Sequence, residues 1–163
     1  MNEAWLVLLP IVLPLTGAAL GLATRRRPGW QVAITVIAIL SATLCSAALL
    51  YTVMTSGQPV VFQIGGWPAP FGISLVGDHL SAFMALMSQI VLAAGILYAT
   101  GCRDKCVRYP AFYPVFLTLA TGLTGALLTG DLFNLFVFAE LMVISGAVLT
   151  AIADDRFGVE AAY

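Results

Sequence analysis

The chain has 163 residues, of which 61% are hydrophobic and 9% charged, with a mean hydropathy of +1.00. Soluble domains carry about a quarter charged residues, so this composition excludes a soluble globular domain and puts the chain in a bilayer. A net charge of −1 on seven Lys and Arg against eight Asp and Glu also excludes a basic nucleic-acid-binding surface.

A helix that crosses the hydrocarbon core needs roughly 20 predominantly apolar residues. Five such runs occur, at approximately 4–23, 31–54, 80–100, 111–129 and 132–153. The first has no basic segment before it and no convincing small-residue cleavage site after it, so it reads as a retained first helix rather than a secretory signal. Lys and Arg fall in three places only: Arg25 to Arg27, then Arg103, Lys105 and Arg108, then Arg156. With five spans all three lie on one side. The positive-inside rule makes that side cytoplasmic and the N-terminus external. The expected fold is therefore an all-α integral membrane protein with five transmembrane helices, forming a single membrane domain.

The outer connection, 55–79, is too long for a simple turn. "PVVFQIGG" and "FGISLV" carry β-branched and aromatic residues, and "GGWPAP" between them is turn punctuation, which predicts a short β-hairpin on the outer surface. Asp78 then stands where a helix N-cap belongs, and capping is the preferred role over ion access. His79, the single histidine, sits at the same edge and is a poor metal site alone. In the inner connection Cys102 and Cys106 lie one helical turn apart. With no second Cys or His pair they predict neither zinc nor a redox function, and Cys45 reads as a small apolar residue of the second span.

The fourth run repeats small residues at helical spacing: Thr118, Gly122, Gly125, Ala126 and Thr129 fall near one face. Such a face lets helix backbones approach closely, so this helix is expected to be buried between neighbours. Packing alone is the preferred role of this face, and waters held by Thr121 and Thr124 beside a polar path are the alternative. Two residues separate it from the fifth run, so the two form a tight antiparallel pair. Asp131 marks the outer end of the fifth helix, close to the positive end of its dipole.

Glu140 is the residue that demands an explanation. It stands within "GDLFNLFVFAELMVISGAVLTAI", nine residues past Asp131. At 1.5 Å per residue that is roughly 13 to 14 Å inside the helix end, near the bilayer midplane. An ionised carboxylate there costs about 2.5 to 3.5 kcal/mol on insertion scales. Desolvation raises its pKa and a nearby cation lowers it, so a glutamate held between the two influences is suited to proton relay. A permanently protonated structural Glu is the alternative. Every Lys and Arg belongs to an inner loop or tail, so a cationic partner for Glu140 would lie on another segment. No phosphate-binding loop, paired catalytic carboxylates or cofactor-ligating cluster occurs, which predicts neither an enzyme site nor a bound cofactor or metal.

Two stretches resemble a known family. "GGWPAPFGISLVGDHLSAFM" (65–84) and "TGDLFNLFVFAELMVISG" (129–146) are similar to the D subunit of Mrp-type multisubunit sodium/proton antiporters, related in turn to proton-channel subunits of complex I and membrane-bound hydrogenases. The likeness spans essentially the whole chain. It implies a subunit of inverted repeats with charged residues at mid-membrane. Glu140 matches the acid on the family's fifth helix, which works there with a lysine on the seventh. The chain looks like the N-terminal third of such a subunit, reaching the start of a sixth helix at 158–163. The resemblance implies a multi-pass protein of the bacterial plasma membrane, partnered by other subunits of a hetero-oligomeric antiporter and handling protons and Na+. A proton-pumping membrane subunit of a complex I-like oxidoreductase or hydrogenase is the alternative, and an inactive scaffold a third reading.

Overall fold

The structure, a computed structural model, describes residues 4–67, 71–102, 104–152 and 156–162. It is built from helices α1 (Trp5–Ala23), α2 (Pro28–Ser56), α3 (His79–Gly101), α4 (Phe112–Leu128), α5 (Leu132–Ala151) and α6 (Arg156–Ala162). A hairpin of β1 (Val60–Gln63) and β2 (Ser74–Gly77) joins α2 to α3. In hydrocarbon, backbone polar groups must be satisfied within the segment, so long apolar runs fold as helices. Four of these helices, α1, α2, α3 and α5, are long and apolar enough to cross a membrane.

The boundaries depart from hydropathy in two informative places. Helix α2 begins at Pro28, three residues before its apolar run, because a proline at the first helical position gives up no hydrogen bond and has its φ preset. It ends where Gly57 takes a left-handed φ of 66°. Helix α4 has only 17 residues, about 25 Å at 1.5 Å each, and is shorter than a lipid-facing span. Thr129 leaves the helix in an extended conformation to bridge Leu75, and the Gly130 amide donates to Ser74 O at 2.9 Å. A helix that packs among protein neighbours need not match the thickness of the bilayer.

Helix α4 is that central element. It packs against α1, α2, α3 and α5, and its buried residues run from Tyr113 to Leu128. The small-residue face works as its spacing predicts. A Cβ added at Gly122 would lie 2.9 Å from Met142 N and 3.0 Å from Phe138 O, and one at Gly125 would overlap the Phe138 ring. On the other side Gly17 of α1 fits against Ala38 and Leu117. One apolar cluster centred on Ile39, Ile96 and Leu117 fills the bundle toward the basic connections. A second, around Leu49, Leu75 and Leu128, fills it toward the hairpin.

The two ends of the bundle differ in kind. At one end lie Arg25, Arg26, Arg27, Lys105 and Arg108. There the Gln31 amide donates to Gly21 O and Pro110 O, both at 2.9 Å, and so ties the α1–α2 turn to the loop before α4. At the other end sits the hairpin, antiparallel with Val60 opposite Gly77 and Gln63 opposite Ser74. Trp5 and Phe62 pack with ring centroids 5.5 Å apart and hold β1 to the start of α1. The turn residues 68–70 of the predicted hairpin lie outside the described residues.

Asp78 caps α3 as the sequence predicts. Its Oδ1 accepts from the Ser81 amide at 2.7 Å, and the Asp78 amide donates to Ser81 Oγ at 2.8 Å, a reciprocal capping box. The Ser81 amide first, and then its hydroxyl, hold the carboxyl below the usual carboxylate range.

Two outcomes are expected. Gly122→Val drives a side chain into the α5 backbone, and overpacking of this kind costs about 1 to 3 kcal/mol or more; the thermal midpoint of the detergent-solubilised protein should fall, whereas Gly146→Val, which meets open space, should leave it near wild type. Asp78→Ala should cost about 1 kcal/mol, the usual worth of an N-cap. Because the folded pKa of Asp78 is lowered, its stabilisation is present above the unfolded value of about 4 and fades as pH falls through the folded value. The gap in midpoint between wild type and Asp78→Asn should therefore narrow in acid.

Candidate functional site

The turn between α4 and α5 fixes the depth of Glu140. Asp131 is the N-cap of α5: its Oδ1 accepts from the Phe133 amide at 3.1 Å. Asn134, buried, donates through Nδ2 to Thr129 Oγ1 at 3.0 Å. Since Thr129 and Gly130 are themselves bonded to β2, the start of α5 is anchored to the hairpin. Glu140 then lies nine residues along a regular helix, roughly 13 to 14 Å in.

The rotation of α5 is set by the glycine contact. Phe138 and Met142 face Gly122 and Gly125 of α4. Glu140, two residues from each of them, falls on the opposite side of the helix and is exposed. Phe133, Phe136, Val137, Val143 and Ile144 share that exposed side, at the three- and four-residue spacing of a single face. The phenylalanines near Glu140 thus divide: Phe133 and Phe136 lie on its own face, while Phe138 is the wedge into α4. Only Asn134 and Ser145 of α5 are buried. Glu140 has no hydrogen-bond or ion-pair partner among the described residues. The arrangement is a carboxyl at the centre of an exposed apolar helix face.

The other residues singled out in the sequence are not gathered around it. Asp78 and exposed His79 lie at the hairpin end of α3. Cys45, Cys102 and Cys106 are free thiols, and Cys102 Sγ contacts Asp104 Oδ2 at 3.1 Å. Among the described residues no group of three or more His, Cys, Asp or Glu assembles. Arg103 and residues 153–155 lie outside the described residues.

Two buried amides escape the sequence reading. Gln31 ties the turns at the basic end, and Gln89 of α3 donates through Nε2 to Thr124 Oγ1 at 2.8 Å. A lone polar residue inside an apolar run was the available signal for both. Thr124 and Thr121 also donate to the carbonyls of Ala120 and Leu117.

No protein-family model matches the chain. Individual relatives do. The D subunit of the Na(+)/H(+) antiporter of Alkalihalophilus pseudofirmus is 34% identical over 152 residues, 93% of this chain and 31% of that protein. The D subunit of a probable K(+)/H(+) antiporter of Rhizobium meliloti is 40% identical over 145 residues, 85% of this chain and 26% of its own length. Among solved structures, the Mrp complex from Dietzia sp. DQ12-45-1b matches with a TM-score of 0.89 at 27% identity, covering 98% of this chain and 30% of the matched one. The membrane-bound sulfane sulfur reductase, an archaeal respiratory membrane complex, matches with a TM-score of 0.86 at 32% identity, over 96% of this chain and 32% of the matched one. The chain spans about a third of the length of these relatives. Across nearly all of its own length, it is a homologue of the D subunits of Mrp-type multisubunit cation/proton antiporters.

Proposed function

We propose that this chain forms part of a membrane subunit of a multisubunit cation/proton antiporter, in which Glu140 relays protons at mid-membrane. The observation that carries this reading is the setting of Glu140, a single ionisable group centred on an exposed apolar face of α5. An ionisable side chain at mid-membrane is costly and is kept there for a function, with a partner. Among the described residues the cationic side chains of the inter-helix connections, Arg25, Arg26, Arg27, Lys105 and Arg108, lie at the basic end, a half-bilayer away. The charge partner is then a Lys, Arg or His on an apposed helix that covers the face of α5. Its approach favours the carboxylate and releases the proton; its withdrawal favours proton uptake.

The positive-inside rule turns the basic end to the cytoplasm and the hairpin outward, as in a multi-pass protein of the bacterial inner membrane. The partners are the other subunits of a hetero-oligomeric complex. The relatives are named for exchange of Na+ or K+ against protons, which supports an alkali cation as the exchanged ion. A second reading, a membrane subunit that translocates protons at the expense of electron transfer, is favoured by the 32% identity to a chain of an archaeal respiratory membrane complex. That reading requires an electron donor for transport, and the antiporter reading does not.

Glu140→Gln removes the titratable group and keeps its shape. In inverted vesicles carrying the assembled complex, cation-dependent proton exchange should drop to the level of vesicles lacking the complex, while the amount of inserted protein stays at wild type. Full exchange in Glu140→Gln would make the residue structural and the chain a scaffold.

A further inference from the structure

Helices α1 and α2 join at the basic end through the turn 24–27, and a cleft of about 330 Å³ there is lined by Ala23, Thr24, Arg25, Arg26 and Arg27. All three arginines are exposed. Among the described residues their side chains have no hydrogen-bond or ion-pair partner. A guanidinium cannot shed its proton in a protein, so three adjacent ones repel each other at every physiological pH, and an anion relieves that repulsion.

A groove of about 210 Å³ lies deeper on the same helix pair, walled by Leu13, Thr16 and Leu20 of α1 and by Ile34, Ile37 and Ser41 of α2. Its floor is the close approach of Gly17 to Ala38, where an added Cβ would lie 2.9 Å from Ala38 Cβ. The Thr16 hydroxyl donates to Val12 O and that of Ser41 to Ala38 O, both at 2.9 Å, so the groove offers a guest mainly carbon. Helical spacing joins the groove to the cleft. On α1, Leu13, Thr16, Leu20 and Ala23 or Thr24 follow at three or four residues and share one face, and the Thr24 hydroxyl donates back to Leu20 O at 2.8 Å. On α2, Arg27, Trp30, Ile34, Ile37 and Ser41 follow in the same way, with Trp30 61% exposed at the depth where an indole favours the membrane interface. Thr24 to Leu13 spans about 16 Å, half of a hydrocarbon core about 30 Å thick.

We propose that this face of α1 and α2 binds one anionic phospholipid from the leaflet at the basic end. Its phosphate sits in the cleft of Arg25, Arg26 and Arg27, and one acyl chain lies along the groove toward Leu13 and Ser41. Charge selects the headgroup, because guanidiniums match phosphate oxygens and the cleft lining has no acid. The groove selects a lipid over free phosphate, which would use the cleft alone. Spread over the seven residues from Leu13 to Leu20, about 10 Å, its volume gives a cross-section of about 20 Å². That accepts a single hydrocarbon chain, whereas a helix is about 10 to 12 Å across. The inference stands on α1 and α2 and does not rest on the role of Glu140.

The test is photo-crosslinking in the whole complex, reconstituted in vesicles that mix phosphatidylglycerol with an excess of phosphatidylcholine. A benzoylphenylalanine replaces Ile37 in the groove or, as a control at similar depth, Val91 on the exposed face of α3, and lipid adducts are counted by mass spectrometry. At position 37 phosphatidylglycerol should be enriched over its bulk share by at least about fivefold, the worth of one juxtamembrane arginine, while position 91 reports the bulk ratio. Arg25→Gln, Arg26→Gln and Arg27→Gln, each of which keeps two arginines to hold the topology, should each lower the enrichment. Where these variants fail to accumulate, about 1 M NaCl with the unsubstituted arginines should lower it instead by screening. Inorganic phosphate should leave the enrichment intact; its loss on adding phosphate would mean a free-anion site. Adducts to a peptide of another subunit would mean that protein fills the groove, and a bulk lipid ratio at position 37 that the arginines select nothing. Any of these three results overturns the proposal.

Discussion

The architecture depends on the close approach of α4 and α5. Gly122 brings the α4 surface against the backbone of Met142 and Phe138, and Gly125 makes the seat of the Phe138 ring. Without a hydrophobic driving force between helices in lipid, such contact between backbones is a principal source of association. It also removes the rotational freedom of α5. Once Phe138 and Met142 point at α4, Glu140 must point away. The anchoring of Thr129 and Gly130 on β2 removes translation as well, so the depth and direction of one carboxyl follow from two glycines and a turn.

The same constraint explains why a short helix occupies the centre. Helix α4 stops at Leu128 so that Thr129 can bridge to the hairpin, and the hairpin in turn covers the helix ends with Leu75 and Val60. A helix surrounded by α1, α2, α3 and α5 does not meet lipid along most of its length. Its threonines turn their hydroxyls back onto carbonyls one turn earlier, which is how a buried helix in an apolar medium hides such groups. Gln89 uses one of those hydroxyls as its acceptor, so polarity enters the core by a chain of local bonds rather than by charge.

Much of this was legible in the residues. The five apolar runs, the hairpin and the small-residue face each carry a local signal, because helix periodicity, β-branched alternation and glycine spacing are properties of adjacent residues. Asp78 and Asp131 were legible for the same reason, since a cap is a contact within four residues. What sequence could not convey is which side of α5 meets α4, because Phe133, Phe136 and Phe138 are equally bulky in one dimension. Only the match of Phe138 to Gly125 separates them. Gln31 and Gln89 were missed since their partners, Pro110 and Thr124, lie 79 and 35 residues away, and nothing local distinguishes an amide that bridges two helices from one that faces a headgroup.

Glu140 and Gln89 represent opposite solutions to one problem. A carboxyl at mid-membrane can be kept neutral at the cost of its charge, or ionised at the cost of requiring a cation, and an exposed helix face leaves both states open to whatever covers it. An amide has no such choice: it is neutral at every pH, so burial fixes it, and its unsatisfied oxygen can be answered only by another hydrogen-bond donor. The amide is held in place through its bond to Thr124 Oγ1. The two groups lie on different sides of the central helix α4, since the α5 contact that turns Glu140 outward uses Gly122 and Gly125, while the α3 contact that buries Gln89 uses Thr124 between them.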